Sequence, residues 1–236
     1  MADMANRMDN QIGMKLESVY NTPVVVDRFY PYIDGTEGDW DTRQRQGQGI
    51  FVGSRRAWRG DRRVLPIGQG EITVKCELAS RQGGVLLEAA GGTSVVKAIT
   101  GGSQKNFTGS ITGTTLKSYT IQLGKVRNDG TVDPETYSGC TAKSFTIECP
   151  EDDILTIEVV FDVRGFTTAT GLASASYTDG AYLFDQSQGA AGLGGTLVAP
   201  TTTTLGSGLT AFPNFRSWQL EVDHQADDSR WTVGGR

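Results

Sequence analysis

The stretch SFTIEC-PEDD-ILTIEVVFDVR, residues 144–164, decides the fold class. Phe145, Ile147 and Cys149 alternate with Ser144, Thr146 and Glu148. Beyond the turn residues Pro150, Glu151, Asp152 and Asp153, a second run begins. There Leu155, Ile157, Val159, Phe161 and Val163 alternate with Thr156, Glu158, Val160, Asp162 and Arg164. Successive side chains of a strand point to opposite faces, so a period of two sends one set to a core and the other to water. Two such runs joined by a short polar turn predict an antiparallel hairpin. The run 154–164 predicts a strand of roughly 36 Å, at about 3.3 Å per residue.

The same period recurs on either side. In GEITVKCEL, residues 70–78, Ile72, Val74, Cys76 and Leu78 alternate with Glu71, Thr73, Lys75 and Glu77. SYTIQLG turns Tyr119, Ile121 and Leu123 inward. SWQLEVDH turns Trp218, Leu220 and Val222 inward and Gln219, Glu221 and Asp223 outward. Val24 to Phe29 reads as a β-branched strand and Phe107–Ile111 as a short one. GGVLLEAAGG predicts a helix of about two turns, with Val85, Leu86 and Ala89 on one face and Gly91-Gly92 ending it. The segment 126–140 holds an Asp-Gly pair and Pro134 and reads as a connection between strands. The expected core comprises Ile72, Val74, Leu78, Phe145, Ile147, Leu155, Ile157, Val159, Phe161, Trp218 and Leu220.

Short alternating strands, Gly-rich turns and one helix predict an all-β fold. It is an antiparallel β-sandwich or barrel with one short flanking helix, in one domain over residues 1–236. Three segments lack a core pattern. Residues 1–16 read as a polar arm. Residues 33–63 form a long loop with isolated Trp40, Phe51 and Trp58, and loops of that length are usually functional. Residues 165–210 form an insert rich in Gly, Ala, Ser and Thr, with a short apolar piece at Tyr182–Phe184.

Composition agrees and excludes much chemistry. The chain has 31 Gly and 27 Thr in 236 residues, which favours turns and strands over helices. No apolar run approaches the roughly 18 residues of a spanning helix. The start MADMANRMDN has no apolar h-region, so no secretory signal and a reduced site of synthesis are expected. His224 is the single histidine, and Cys76, Cys140 and Cys149 contain no CxxC pair. There is no phosphate-binding GxxxxGK[ST] and no GxSxG elbow. No enzyme activity, metal or cofactor is therefore expected. Two acidic groups are candidate sites. Asp223, His224, Asp227 and Asp228 suit a cation but suit a solvated turn better, and Glu151–Asp153 fit a hairpin tip. Cys140 and Cys149 fit small core hydrophobes better than a disulfide.

The net charge of -5 is uneven. Residues 41–63 hold seven arginines, Arg43, Arg45, Arg55, Arg56, Arg59, Arg62 and Arg63, against Asp41 and Asp61. The rest of the chain is acidic. A basic segment beside tryptophan is compatible with nucleic acid, but interleaved acids make a protein contact the better reading.

The order of these pieces resembles a known family. GMKLESVYNTPV, a long loop, GQGEITVKCEL followed by GGVLLEAAGG, SYTIQLG, TYSGCTAKSFTIECPEDDILTIEVVFDVRG and SWQLEVDH together look like the tail tube (major tail) protein of long-tailed, non-contractile bacteriophages. The resemblance runs from about residue 12 to 224 and is weakest over 165–210. It implies a structural virion protein made in the host cytoplasm. Its sandwich would contribute strands to a hexameric, tube-forming β-barrel, and its rings would stack into the phage tail. The implied partners are further copies of itself, the tail tip and tail terminator proteins, and a tape measure protein in the lumen. Genomic DNA would pass through without specific binding, and no membrane is involved. The long loop would reach the adjacent ring, with Trp40, Arg43, Arg45, Phe51, Arg55, Arg56, Trp58, Arg59, Arg62 and Arg63 as contacts.

A conduit for DNA must not hold it, and a basic channel would. The polar faces of 70–79, 142–149 and 154–164 supply Glu71, Glu77, Glu148, Glu158 and Asp162 against Lys75. These six are the expected lumen-facing residues. The alternative is a sandwich module for capsid decoration or carbohydrate binding, with Trp40 and Trp58 as an aromatic platform.

Overall fold

A computed structural model describes residues 10–41, 45–46, 63–64, 68–81, 83–91, 93–99, 102–108, 117–127, 129–177, 180–188, 192–197, 206–208, 210–211 and 216–225. The strands in chain order are β1 (Gln11–Leu16), β2 (Arg28–Tyr30), β3 (Glu37–Asp41), β4 (Arg45–Gln46), β5 (Arg63–Val64) and β6 (Gln69–Glu77). Helix α1 (Gly83–Gly91) follows, then β7 (Thr93–Ile99), β8 (Gly102–Thr108), β9 (Tyr119–Val126), β10 (Val132–Cys149), β11 (Thr156–Val163) and β12 (Gly165–Thr167). The remainder are β13 (Gly192–Leu193), β14 (Thr196–Leu197), β15 (Gly206–Ser207), β16 (Thr210–Ala211) and β17 (Trp218–Asp223).

Strand β10 organises the molecule. Its first half pairs with β9 and β12, and β9 leads on to β1 and β2. Its second half pairs with β17 and β11, and β11 leads on to β6 and β3. All pairings are antiparallel. One strand thus serves two half-sheets, here called the first sheet and the second sheet. It passes between them through two irregularities, at Tyr137/Cys140 and Ala142/Ser144. Such bulges bend a strand and re-aim it. Gly139 sits at this bend with φ of 63°, and a Cβ there would lie 2.7 Å from that of Arg164, so only glycine fits.

The apolar sides of both sheets share one core. Ile157, Val159, Phe161, Val163, Ile72 and Cys76 of the second sheet are fully buried, as are Ile12, Ile121 and Cys140 of the first. Tyr119 meets Phe161 edge to face, with centroids 6.4 Å apart. Helix α1 closes this core with Leu86, Ala89 and Ala90, and His224 Nε2 lies 2.8 Å from the Ala90 carbonyl at its C-terminal end. Buried Glu17 ties the bend together. Its carboxylate accepts from Thr120 Oγ1, the Gly139 amide and the Asn21 amide, each at 2.9 Å.

The hairpin at 144–164 has the expected register, with Phe145 opposite Val159, Ile147 opposite Ile157 and Glu148 opposite Thr156. Its strand β11 is shorter than expected, eight residues instead of eleven, with Leu155 half-buried just ahead of it. Other expectations change. The arm read over 1–16 stops short of Gln11, because Gln11–Leu16 pairs with β9 and buries Ile12 and Met14. Val24–Val26 is not a strand. The connection read over 126–140 is a tight turn at Gly130, after which β10 starts at Val132. Pro134 fits in that strand because only β9 is paired beside it. Of the expected strand Phe107–Ile111, residues 107 and 108 end β8, which pairs with β7, unread in the sequence, and 109–111 lie outside the described residues. The segment 165–210 begins within the sandwich. Thr167 and Phe166 pair with β10, and Gln122 holds residues 171 and 173.

Trp218 and Leu220 are corrections to the expected core. Both lie on the core side of the second sheet, opposite Cys149 and Ile147, yet they are 38 % and 46 % exposed. Strand β17 pairs only with β10, and no described residue covers its outer flank. The alternation fixed the side correctly; the edge position removed the burial.

Candidate functional site: an acidic sheet face

Directly opposed residues of antiparallel strands share a face. The registers therefore collect every expected lumen residue on the outer face of the second sheet. Glu71 stands opposite Asp162, and Lys75 opposite Glu158. Thr156 lies between Glu77 and Glu148. All six are at least partly exposed.

The same registers add carboxylates that the sequence reading did not assign to this face. Glu37, Asp39 and Asp41 of β3 stand opposite Thr73, Glu71 and Gln69. Glu221 and Asp223 of β17 stand opposite Thr146 and Ser144. Ten carboxylates thus share one face with Lys75 and with Lys143 at its bulge. Lys75 Nζ lies 3.6 Å from Glu158, and Lys143 Nζ 2.6 Å from Glu71. The signal for β3 was present: EGDWD places acids at 37, 39 and 41, in period two. It was lost within the long unpatterned segment.

That segment also changes character. Trp40 is not part of a loop. It lies in β3 and stacks on Phe166 at 5.8 Å, so it is half-buried within its own subunit. Arg45 and Arg63 belong to β4 and β5, whose main chains pair, with Arg45 opposite Val64 and Gln46 opposite Arg63. Asp41 pairs with Gln69 just below. The pair β4–β5 forms its own short two-stranded ladder, here the β4–β5 stem. Arg43, Phe51, Arg55, Arg56, Trp58, Arg59 and Arg62 lie outside the described residues.

The described members of the two acidic groups make local structural contacts. His224 packs beside Phe145 and meets the helix end, while Asp227 and Asp228 lie outside the described residues. At the hairpin tip Asp152 has φ of 59°, Asp153 accepts from the Ile154 amide, and Glu151 pairs with Arg216 at 3.8 Å. The three thiols are free and buried. Burial pushes the Cys76 thiol up to about 12. Among the described residues no group of three or more His, Cys, Asp or Glu is arranged to hold a metal. No described helix is long and apolar enough to cross a membrane.

A two-sheet β protein whose carboxylate-rich sheet face and edge strands no described residue covers has the features of a structural assembly subunit. A family model described as phage tail tube protein matches residues 9–210, and the chain belongs to that family. The match includes the Gly/Thr-rich segment 165–210 and stops before β17. No curated protein matches the chain.

Proposed function

We propose that the protein polymerises as stacked hexameric rings into the tail tube of a long-tailed, non-contractile phage, and that the acidic face lines its lumen. Family membership supports a structural component of the virion tail. The observation that carries the lumen reading is the gathering of Glu37, Asp39, Asp41, Glu71, Glu77, Glu148, Glu158, Asp162, Glu221 and Asp223 on one sheet face. At about 10 Å in water a carboxylate and a phosphate repel by only about 0.4 kcal/mol. Salt attenuates this beyond a Debye length of about 10 Å. Ring symmetry and stacking multiply the small term, so DNA passes without adhering. The same lumen holds the tape measure protein before ejection. The tail tip and terminator proteins bound the tube, and assembly follows synthesis in the host cytoplasm.

The β4–β5 stem carries the arginine-rich segment to the adjacent ring. Ordering a segment costs about 1–2 kcal/mol per residue, so stacking must be cooperative. Arg43, Arg45, Arg55, Arg56, Arg59, Arg62 and Arg63 meet acidic partners there, with Phe51 and Trp58 as apolar anchors.

Negative-stain electron microscopy of the purified protein, with and without tail-tip extract, tests the reading. Rings or hollow tubes are expected; a monomer under every condition overturns it. Replacing 47–62 by a short Gly-Ser linker should leave a folded subunit that no longer stacks. Normal tubes from that variant would remove the segment from the inter-ring contact.

A further inference from the structure

The first sheet carries a cavity on the face that it turns away from the shared core. Residues 23–26 and 170–173 lie over this face without joining its ladders, and about 270 Å³ of space lies between them. Glycines let both segments sit close to the sheet. Val26 rests on Gly13 of β1, where a Cβ would come within 2.6 Å of its Cγ2. Leu172 rests on Gly124 of β9, where a Cβ would come within 2.8 Å of its Cδ1. Side chains of the sheet then tie the segments down. Thr120 Oγ1 accepts from the Val24 amide at 3.1 Å, and Gln122 bonds to the Gly171 carbonyl at 3.1 Å and the Ala173 amide at 2.9 Å. Both walls are therefore anchored to the strands that form the floor.

That floor is Thr120, Gln122 and Thr136, each at most 3 % exposed. Their polar atoms are almost all engaged. Thr120 Oγ1 also donates to Glu17, and Gln122 Nε2 donates to Thr136 Oγ1 as well as to Gly171. Thr136 Oγ1 accepts that bond, and its own proton has no acceptor among the described residues. A hydroxyl carries one donor, so a single unspent donor remains in the floor. The walls are mainly aliphatic, from Pro23, three valines, Leu172 and Ala173, and no lining residue is charged. The rim is open to solvent at Val25, Thr170 and Gly171.

We propose that this cavity binds a small neutral molecule with an apolar body and one hydrogen-bond acceptor, which takes the proton of Thr136 Oγ1. Ligand sites are typically concave and apolar with a few placed polar groups, as here. An apolar cavity of roughly 150 Å³ takes benzene, so this one has room for about ten non-hydrogen atoms. A charged group would lose its hydration and meet no opposite charge, which restricts the class to neutral molecules. Water is a poor occupant, because a buried water needs about two to four polar partners and the floor side chains offer one. The acidic face belongs to the other sheet, so the site does not depend on the tube reading and does not compete with the lumen. A molecule that touches both walls would brace residues 23–26 against 170–173.

Three probes separate the parts of this assignment. Acetophenone, ethylbenzene and benzoate share a ring and nearly one shape, but carry a neutral acceptor, no acceptor and a charge. In methyl NMR titrations of the purified protein, acetophenone should shift Val24, Val26, Leu172 and Ala173 and leave Val159 and Val163 of the shared core in place. It should bind about fivefold more tightly than ethylbenzene, and benzoate should not bind. Thr136→Val should bring acetophenone to the ethylbenzene level without changing ethylbenzene, and Thr136→Ser should keep the preference. If Thr136→Val does not fold, the wild-type and Thr136→Ser titrations decide alone. Absence of shifts at those four residues up to the solubility limit of acetophenone would overturn the site. Equal affinity for ethylbenzene or benzoate, or a preference for acetophenone that survives in Thr136→Val, would overturn the chemistry assigned to it.

Discussion

The two sheets share a strand and a core but treat their other faces oppositely. In the first sheet the face away from the core is also buried. Thr120, Gln122, Thr136 and Ser138 are at most 8 % exposed there. Gln122 lies beneath residues 170–173 with its amide fully used, donating to Thr136 Oγ1 and the Gly171 carbonyl and accepting from the Ala173 amide. Gln11 adds a bond to the Ala173 carbonyl at 2.6 Å. The second sheet leaves the corresponding face to its carboxylates, and no described residue is strapped across it. A covered polar face must satisfy each polar atom from within the protein. A bare one is satisfied by water and is free to carry charge. The difference separates a scaffold sheet from a working sheet.

The shared core bears on both sheets at once. Phe161→Ala, at a fully buried site against Tyr119, should cost about 3–5 kcal/mol and remove soluble protein. A thermal melt that stays unchanged would mean that the two sheets do not depend on one core. Next comes the covered face. Gln122→Ala strands the Gly171 carbonyl and Ala173 amide, and should cost about 1–3 kcal/mol in urea titration. If it proves as mild as changes on the acidic face, the two faces are not distinct in kind.

Alkaline pH gives a smaller effect that reports on the core side of the second sheet. Burial raises the Cys76 thiol from about 9 to about 12, so the folded state keeps a proton that the unfolded state gives up earlier. Its stabilising contribution is full below about pH 9 and is lost as pH rises towards 12. At pH 10 the loss should be about 1 kcal/mol, and Cys76→Ala should flatten that part of the profile. The smallest effect belongs to the bare face. Glu158→Gln breaks a solvated pair with Lys75 and should change stability by less than about 1 kcal/mol. Its consequence should appear instead in assembled tubes, as greater retention of DNA at low salt. A large loss of stability would show that this carboxylate serves the fold.

Where residues alternate and are buried on one side, the sequence was legible. Strands β6, β11 and the second half of β10 follow from Ile72 to Phe161 by period alone, and α1 from Leu86 and Ala89 between glycines. The first sheet was harder for a physical reason. Both its faces are buried, so polarity placed Tyr119, Ile121 and Leu123 on the core side but could not tell that Thr120 and Gln122 opposite them are as hidden as Ile121. Strand β1 was missed although Ile12, Met14 and Leu16 alternate with Gln11, Gly13 and Lys15, because so short a run was absorbed into the polar arm that precedes it. Trp218 and Leu220 show the limit at an edge: alternation tells which side a residue takes, but only topology tells whether anything lies beyond it. Of the acidic face, six members were readable from three strong strands. Glu37, Asp39 and Asp41 needed the pairing of β3 with β6.

The length of β10 has a consequence for how the chain acquires its structure. Strand β1 finds β9 more than a hundred residues later, and β6 waits for β11. Among the described strands, only the β1–β2, β3–β6, β4–β5 and β7–β8 pairings can form before residue 119 is made. At about 5–20 residues per second of synthesis, the early strands stay open for many seconds. Non-local β topologies of this kind fold in milliseconds to seconds once complete. The newborn subunit therefore exposes sticky strand edges while its sisters are being made nearby. Premature association is then a competing fate, decided by how quickly residues 132–163 arrive to close both sheets together.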